Sequence, residues 1–235
     1  MCNPSKQKVI YALPGFLGLQ SDWSALKKEL PSLIPIDPYQ IALPEQGLHK
    51  WAQAFNKILP KEPILLGYSM GARLCMHTLL ENFPKALILI SGNPGLKTQE
   101  ERKKRLKLDR IWAKRFQKEP WESLMHSWNN RSVFSAAPLI RYEKDYCRNT
   151  LSSALKSWSL AHQMDFSTIL EQAPIPILWI TGKLDKAYSK KSMKFSHPLS
   201  QSWSVPSSGH RVPWEQPKAF LKILHQFLRL IEQST

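Results

Sequence analysis

Ser69 stands in the run Gly67-Tyr68-Ser69-Met70-Gly71, between an apolar stretch at 64–67 and an amphipathic stretch at 71–83. In a G-x-S-x-G run between a strand and a helix, the glycines permit a sharp turn that lifts the serine hydroxyl above the carboxyl end of a sheet. The helix start that follows brings positive potential to the same point. The bare pattern is common in turns, so the flanking elements carry the argument. A serine hydroxyl also needs a base, and the base needs an orienting carboxylate. Asp185 lies three residues past the apolar run 177–182, and His210 follows the run 203–205 in Ser207-Ser208-Gly209-His210. All three residues fall after the carboxyl ends of different strands, in the order Ser, Asp, His. An oxyanion site needs two backbone N–H groups. Met70 supplies one, and Phe16, in the loop Leu13-Pro14-Gly15-Phe16-Leu17-Gly18, supplies the other.

Plainer readings compete with each assignment. Ser69 could be an ordinary turn serine and Asp185 a cap. Asp37 also ends a strand, but it comes too early in the order. His197 is the rival of His210, but it follows no strand. His49, His77, His126, His162 and His225 read as surface or core residues, and Cys75 as helix packing. Trp112, Trp121, Trp128 and Trp158 read as core between a helical layer and a sheet.

The elements that must position these residues alternate. Short apolar runs at 9–13, 34–37, 64–67, 86–91, 177–182 and 203–205 are separated by longer amphipathic segments. That alternation predicts a parallel sheet with helical crossovers, and unbroken apolar runs predict strands buried on both faces. Helices are expected at 23–30 with Asp22 as cap, at 48–59, at 71–83, and from 217, where proline suits a first turn, to 230. Between 91 and 174 no strand is legible. Helices at 98–116, 121–128, 139–147, 150–161 and 166–172 are expected instead. The reading is therefore a core of residues 1–91 and 174–235 with a helical cap insertion at 92–173. The first cap helix holds Arg102, Lys103, Lys104, Arg105, Lys107, Arg110, Lys114 and Arg115, which reads as a solvated face.

The 235 residues carry 33 Lys and Arg against 18 Asp and Glu, a net charge of +15. That balance favours acidic partners: an anionic small molecule, an acidic protein, a membrane surface or nucleic acid. With 43% hydrophobic residues, the chain can build a core, which excludes disorder. Cys2, Cys75 and Cys147 form no CxxC pair, which excludes a disulfide framework and a zinc site and suits a reducing compartment. No signal-peptide apolar region and no membrane-length apolar run is present, so a cytoplasmic protein without cofactor or metal is expected.

The residues resemble a known family, the 2-succinyl-6-hydroxy-2,4-cyclohexadiene-1-carboxylate synthases of menaquinone biosynthesis, which have the α/β-hydrolase fold. The likeness runs through Gly67-Tyr68-Ser69-Met70-Gly71-Ala72-Arg73, Gly92-Asn93-Pro94-Gly95-Leu96, Glu101 to Arg105, Asp109-Arg110-Ile111-Trp112-Ala113 and Phe116. It continues through Glu119-Pro120, Trp128, Val133-Phe134, Gly182-Lys183-Leu184-Asp185 and Gly209-His210. The resemblance implies an elimination: the triad removes a ring proton, a diene forms and pyruvate leaves. It also implies that Tyr68, Arg73, Arg105 and Trp128 line the substrate site. Independently, an arginine fork binds carboxylate bidentately, and Arg73 lies one helical turn after Ser69.

Two loops depart from the family. Leu13-Pro14-Gly15-Phe16 replaces its His-Gly-Phe, and the segment 38–47 replaces its Pro-Gly-His-Gly type of loop. Few residues precede the first strand, which predicts a shortened, mostly parallel sheet of about six strands without the leading hairpin. The alternative enzyme is a serine carboxylesterase, such as one acting on a methyl ester of an acidic carrier protein. Guanidinium groups turned toward Ser69 favour the anionic small substrate, and an apolar channel favours the ester. A non-catalytic nucleic-acid or membrane-surface binder is the third reading, but no nucleic-acid motif is recognisable.

Overall fold

The computed structural model describes residues 9–131, 134, 139–186 and 193–233. Cys2 and Val133 lie outside the described residues. Six strands form one sheet in the order β2-β1-β3-β4-β5-β6: β1 (Ile10–Leu13), β2 (Leu33–Pro35), β3 (Ile64–Tyr68), β4 (Ala86–Ile90), β5 (Ile177–Gly182) and β6 (Gln201–Val205). Every pairing is parallel, so all carboxyl ends share one edge. The expected strands are all present, with ends shifted by one or two residues.

Alternation along the strands builds two cores. Leu65, Leu87, Leu89, Ile177 and Trp179 face α2 (Gly47–Ile58) and α3 (Met70–Thr78), in a cluster with Trp51, Phe55 and Leu74. Ile64, Leu66, Ile88, Ile90, Leu178 and Ile180 face the opposite layer with Trp23, Phe220, Leu224 and Phe227. That layer holds α1 (Ser24–Glu29) and a C-terminal helix at Pro217–Gln233. Side chains on both faces of β3, β4 and β5 are thus nearly all apolar, because both faces are covered, whereas the edge strand β6 exposes Ser202, Trp203 and Ser204.

Between β4 and β5 the described residues form helices: α4 (Gln99–Lys118), α5 (Trp121–Asn129), α6 (Arg148–Ser157) and α7 (Ser167–Glu171). Thr98 caps α4 by accepting from Glu101 N–H at 3.1 Å, while Glu101 accepts from Thr98 N–H at 3.0 Å. After β6 come a single turn α8 (Val212–Glu215) and α9 (Pro217–Gln233). No helix among the described residues is long and apolar enough to cross a membrane.

Three expectations need correction. The segment 139–147 is not an α-helix; only a 3-10 turn, Glu143–Asp145, forms. Tertiary partners take its backbone groups: Asn129 brackets Leu139 at both N–H and carbonyl (2.9 and 3.1 Å), and Trp121 Nε1 donates to Arg141 O at 2.7 Å. The helix expected to reach residue 83 ends at Thr78, whose hydroxyl donates back to Cys75 O at 2.7 Å. Asp22 does not cap α1. It sits inside a 3-10 turn, Gln20–Trp23, accepts from Leu19 N–H at 3.0 Å and pairs with Arg141 at 2.5 Å.

The tryptophans divide. Trp158 packs on the sheet-side core, stacked on Tyr39 with ring centroids 5.5 Å apart. Trp112, Trp121 and Trp128 instead build a cluster within the helical segment, and Leu17 from the loop after β1 enters it.

Candidate active site

The turn from β3 into α3 puts Ser69 at φ 53°, ψ −106°, a backbone conformation that few non-glycine residues adopt. Its tightness explains the flanking glycines. A Cβ on Gly67 would lie 2.5 Å from Ala72 Cα, and one on Gly71 would collide with the Leu13 carbonyl of β1. Ser69 N–H is held by Ile90 O of β4 at 2.8 Å. The serine is therefore fixed by three adjacent parallel strands.

Ser69 Oγ lies 3.0 Å from His210 Nε2, and His210 Nδ1 lies 2.6 Å from Asp185 Oδ2. A carboxylate only accepts, so Nδ1 carries the proton and Nε2 is left to accept from the serine hydroxyl. Asp185 and His210 are buried. Their loops touch: Leu184 N–H donates to Ser208 O at 2.8 Å, and a Cβ on Gly182 would collide with the Gly209 carbonyl. The structure brings these three residues together and leaves their rivals elsewhere. Asp37 accepts from Tyr39 N–H at 3.0 Å in a 3-10 turn, and His197 Nδ1 accepts from Leu199 N–H at 3.2 Å.

Ser69 and His210 open onto a cavity of about 270 Å³. Phe16 and Met70, the expected oxyanion donors, both line it, as do Tyr68, Arg73, Arg105 and Trp128. The loop after β1 closes on itself through Gly18 N–H to Gly15 O at 2.9 Å. It sets Phe16 between Phe116 and Trp128, with ring centroids 5.2 and 5.1 Å away. Tyr68 lies against His210 (5.6 Å) and Trp214 (4.9 Å).

The arginines are held in different ways. Arg73 Nη1 donates to Trp158 O at 2.8 Å. Arg105 Nε donates to Asp109 Oδ2 at 2.7 Å, and the same oxygen accepts from Ser159 Oγ at 2.7 Å. Arg131 lies over the faces of Trp128 (4.2 Å) and Trp112 (5.3 Å). Arg131, Asp109 and Ser159 line the cavity too and were missed in the sequence. Asp109 had a signal, since a carboxylate four residues after Arg105 shares its helix face. The α4 basic run splits accordingly: Lys103, Lys104, Lys107, Arg110 and Lys114 are exposed, while Arg102, Arg105 and Arg115 turn partly inward.

Buried groups away from the serine titrate unusually. Burial lowers His77 to about 3, with Arg73 and His49 adding repulsion. Burial pushes the Cys75 thiol up, as fits a packing residue. Among the described residues no group of three His, Cys, Asp or Glu could hold a metal ion.

The family model of the Alpha/beta hydrolase family matches residues 7–223, and the chain belongs to that family. The 2-succinyl-6-hydroxy-2,4-cyclohexadiene-1-carboxylate synthase of Photorhabdus laumondii is 28% identical, with 94% of this chain and 86% of that protein covered. The synthase of Enterobacter sp. (strain 638) is also 28% identical, over 93% of this chain and 90% of its own. In fold, the solved structure of MenH from S. aureus superposes with a TM-score of 0.84 at 20% identity, covering 98% of this chain and 96% of that one.

Proposed function

We propose that this alpha/beta hydrolase is a carbon–oxygen lyase of menaquinone biosynthesis. In this reading it eliminates pyruvate from 2-succinyl-5-enolpyruvyl-6-hydroxy-3-cyclohexene-1-carboxylate. One observation carries the reading: the Ser69–His210–Asp185 line opens onto a cavity walled by Arg73, Arg105 and Arg131. A neutral ester has no use for three guanidinium groups, whereas a substrate with several carboxylates does. The near-full-length likeness to synthases of that name supports the same choice.

The mechanism follows from the positions. His210, held by Asp185, draws the Ser69 proton, and the serine–histidine pair takes a proton from the cyclohexene ring. The electron pair left at C2 forms a C2=C3 double bond, and the ring's existing C3=C4 double bond shifts to C4=C5, where the enolpyruvyl oxygen departs. The ring C–O bond breaks, and the enolate of pyruvate leaves and takes up a proton. The N–H groups of Phe16 and Met70 hold the negative charge that develops on the substrate oxygen. Arg73, Arg105 and Arg131 hold substrate carboxylates, with Tyr68 and Trp128 as walls. The helical segment 92–173 acts as the cap that supplies Arg105 and Arg131. No cofactor enters this scheme. The odd cysteine count fits the reducing cytoplasm as its place.

The test is substrate choice. Purified protein is offered the cyclohexene precursor and, separately, a small neutral ester and a methyl ester on an acidic carrier protein. Pyruvate release from the precursor far above acid release from either ester is expected. Rapid acid release without pyruvate would replace the lyase with the carboxylesterase.

A further inference from the structure

We infer that Glu215 is a positioning residue for the catalytic histidine, acting through the backbone on both sides of it; this rests on the proposed role of His210. Glu215 closes the single turn α8, and its carboxylate folds back over the loop that leads into that turn. Oε2 accepts from Gly209 N–H and from Ser208 Oγ (3.2 Å), and Oε1 accepts from Arg211 N–H at 3.2 Å. Gly209 and Arg211 flank His210 directly, so one carboxylate grips both neighbours of the histidine. From the other side, buried Ser91 donates through Oγ to His210 O at 2.8 Å. Backbone held on two sides leaves the imidazole little freedom to leave the line between Ser69 and Asp185. A shift of about 1 Å in such a group is enough to cost on the order of 100-fold in rate.

The alternative is that Glu215 only caps the first turn of α8. The two roles differ in chemistry. A cap of this kind accepts glutamine as readily as glutamate, as capping boxes do. The grip seen here needs both side-chain oxygens as acceptors, which only a carboxylate provides. Glutamine has the same shape but turns an amide NH₂ against an N–H or hydroxyl donor at one end.

Glu215→Gln therefore separates them, and Glu215→Ala serves as the coarser comparison. Each variant is measured for kcat and KM on the precursor, for thermal unfolding, and for the rate at which a small neutral fluorophosphonate labels Ser69. The labelling rate depends on the Ser69–His210 pair and not on the natural substrate, so it remains informative if the lyase reading fails. Glu215→Gln is expected to lower kcat and the labelling rate together, by about 10- to 100-fold. KM should stay within about twofold and the folded fraction unchanged. Wild-type kcat and labelling in Glu215→Gln would overturn the proposal. So would a loss confined to KM, or a loss that matches the unfolded fraction.

Discussion

Arg105 spends its Nε on Asp109, 2.7 Å away and one turn along α4, and that pairing fixes the guanidinium at the cavity wall. Because Asp109 is buried and also accepts from Ser159, the edge that meets Asp109 is spoken for. Arg105 therefore enters the cavity lining from a partly buried, side-chain-anchored position rather than as a loose surface arginine.

The arginines should accordingly separate by substrate. Arg73→Ala, Arg105→Ala and Arg131→Ala are each expected to lower kcat/KM for the anionic precursor about tenfold to a hundredfold, the worth of one charge-assisted hydrogen bond. Lysine should rescue poorly at 105, since a point charge cannot hold Asp109 and a carboxylate bidentately at once. Steady-state kinetics with a small neutral ester should show almost no change. Equal losses on both substrates would remove the arginines from carboxylate binding.

Ser69→Ala and His210→Ala should each reduce turnover by several orders of magnitude without unfolding the chain. As members of one unit they are non-additive, so the double variant should be little worse than either alone. Losses that multiply would show two independently acting residues.

The sheet and the serine–histidine–aspartate line were legible because each leaves a local mark. Strands such as 64–68 and 177–182 are apolar on both faces, and Ser69, Asp185 and His210 each follow a strand end. What was not legible depends on distant partners. The spacing of Asp109 from Arg105 hints at their pairing, but its second partner, Ser159, 50 residues on, is set by the fold alone. Arg131 follows α5 in a polar run with no periodicity, and only the fold lays it across Trp128 and Trp112. The missing helix at 139–147 has the same cause: Asn129 and Trp121 satisfy backbone groups that a helix would have paired internally.

His77 should set part of the acid limb of stability. It is buried against Phe166, and neither ring nitrogen has a hydrogen-bond partner among the described residues. Its folded value of about 3 lies below the unfolded value of about 6.5. Above about pH 6.5 the ring is neutral in both the folded and the unfolded chain, so His77 adds no pH dependence there. As pH falls from there toward 3, the unfolded chain binds a proton that the folded chain refuses. Stability drops by up to about 1.4 kcal/mol per pH unit. Urea unfolding of wild type and His77→Leu at pH 7, 5 and 4 should show a shallower decline in the variant. Parallel declines would show that His77 does not titrate on unfolding.

The most direct measurement follows diene and pyruvate together from the cyclohexene precursor, with wild type and with His210→Ala. The account predicts that both products appear in equal amounts and at the same rate with wild type, and that His210→Ala slows both by the same several orders of magnitude. Pyruvate released without the diene, or released at the wild-type rate by His210→Ala, would contradict it.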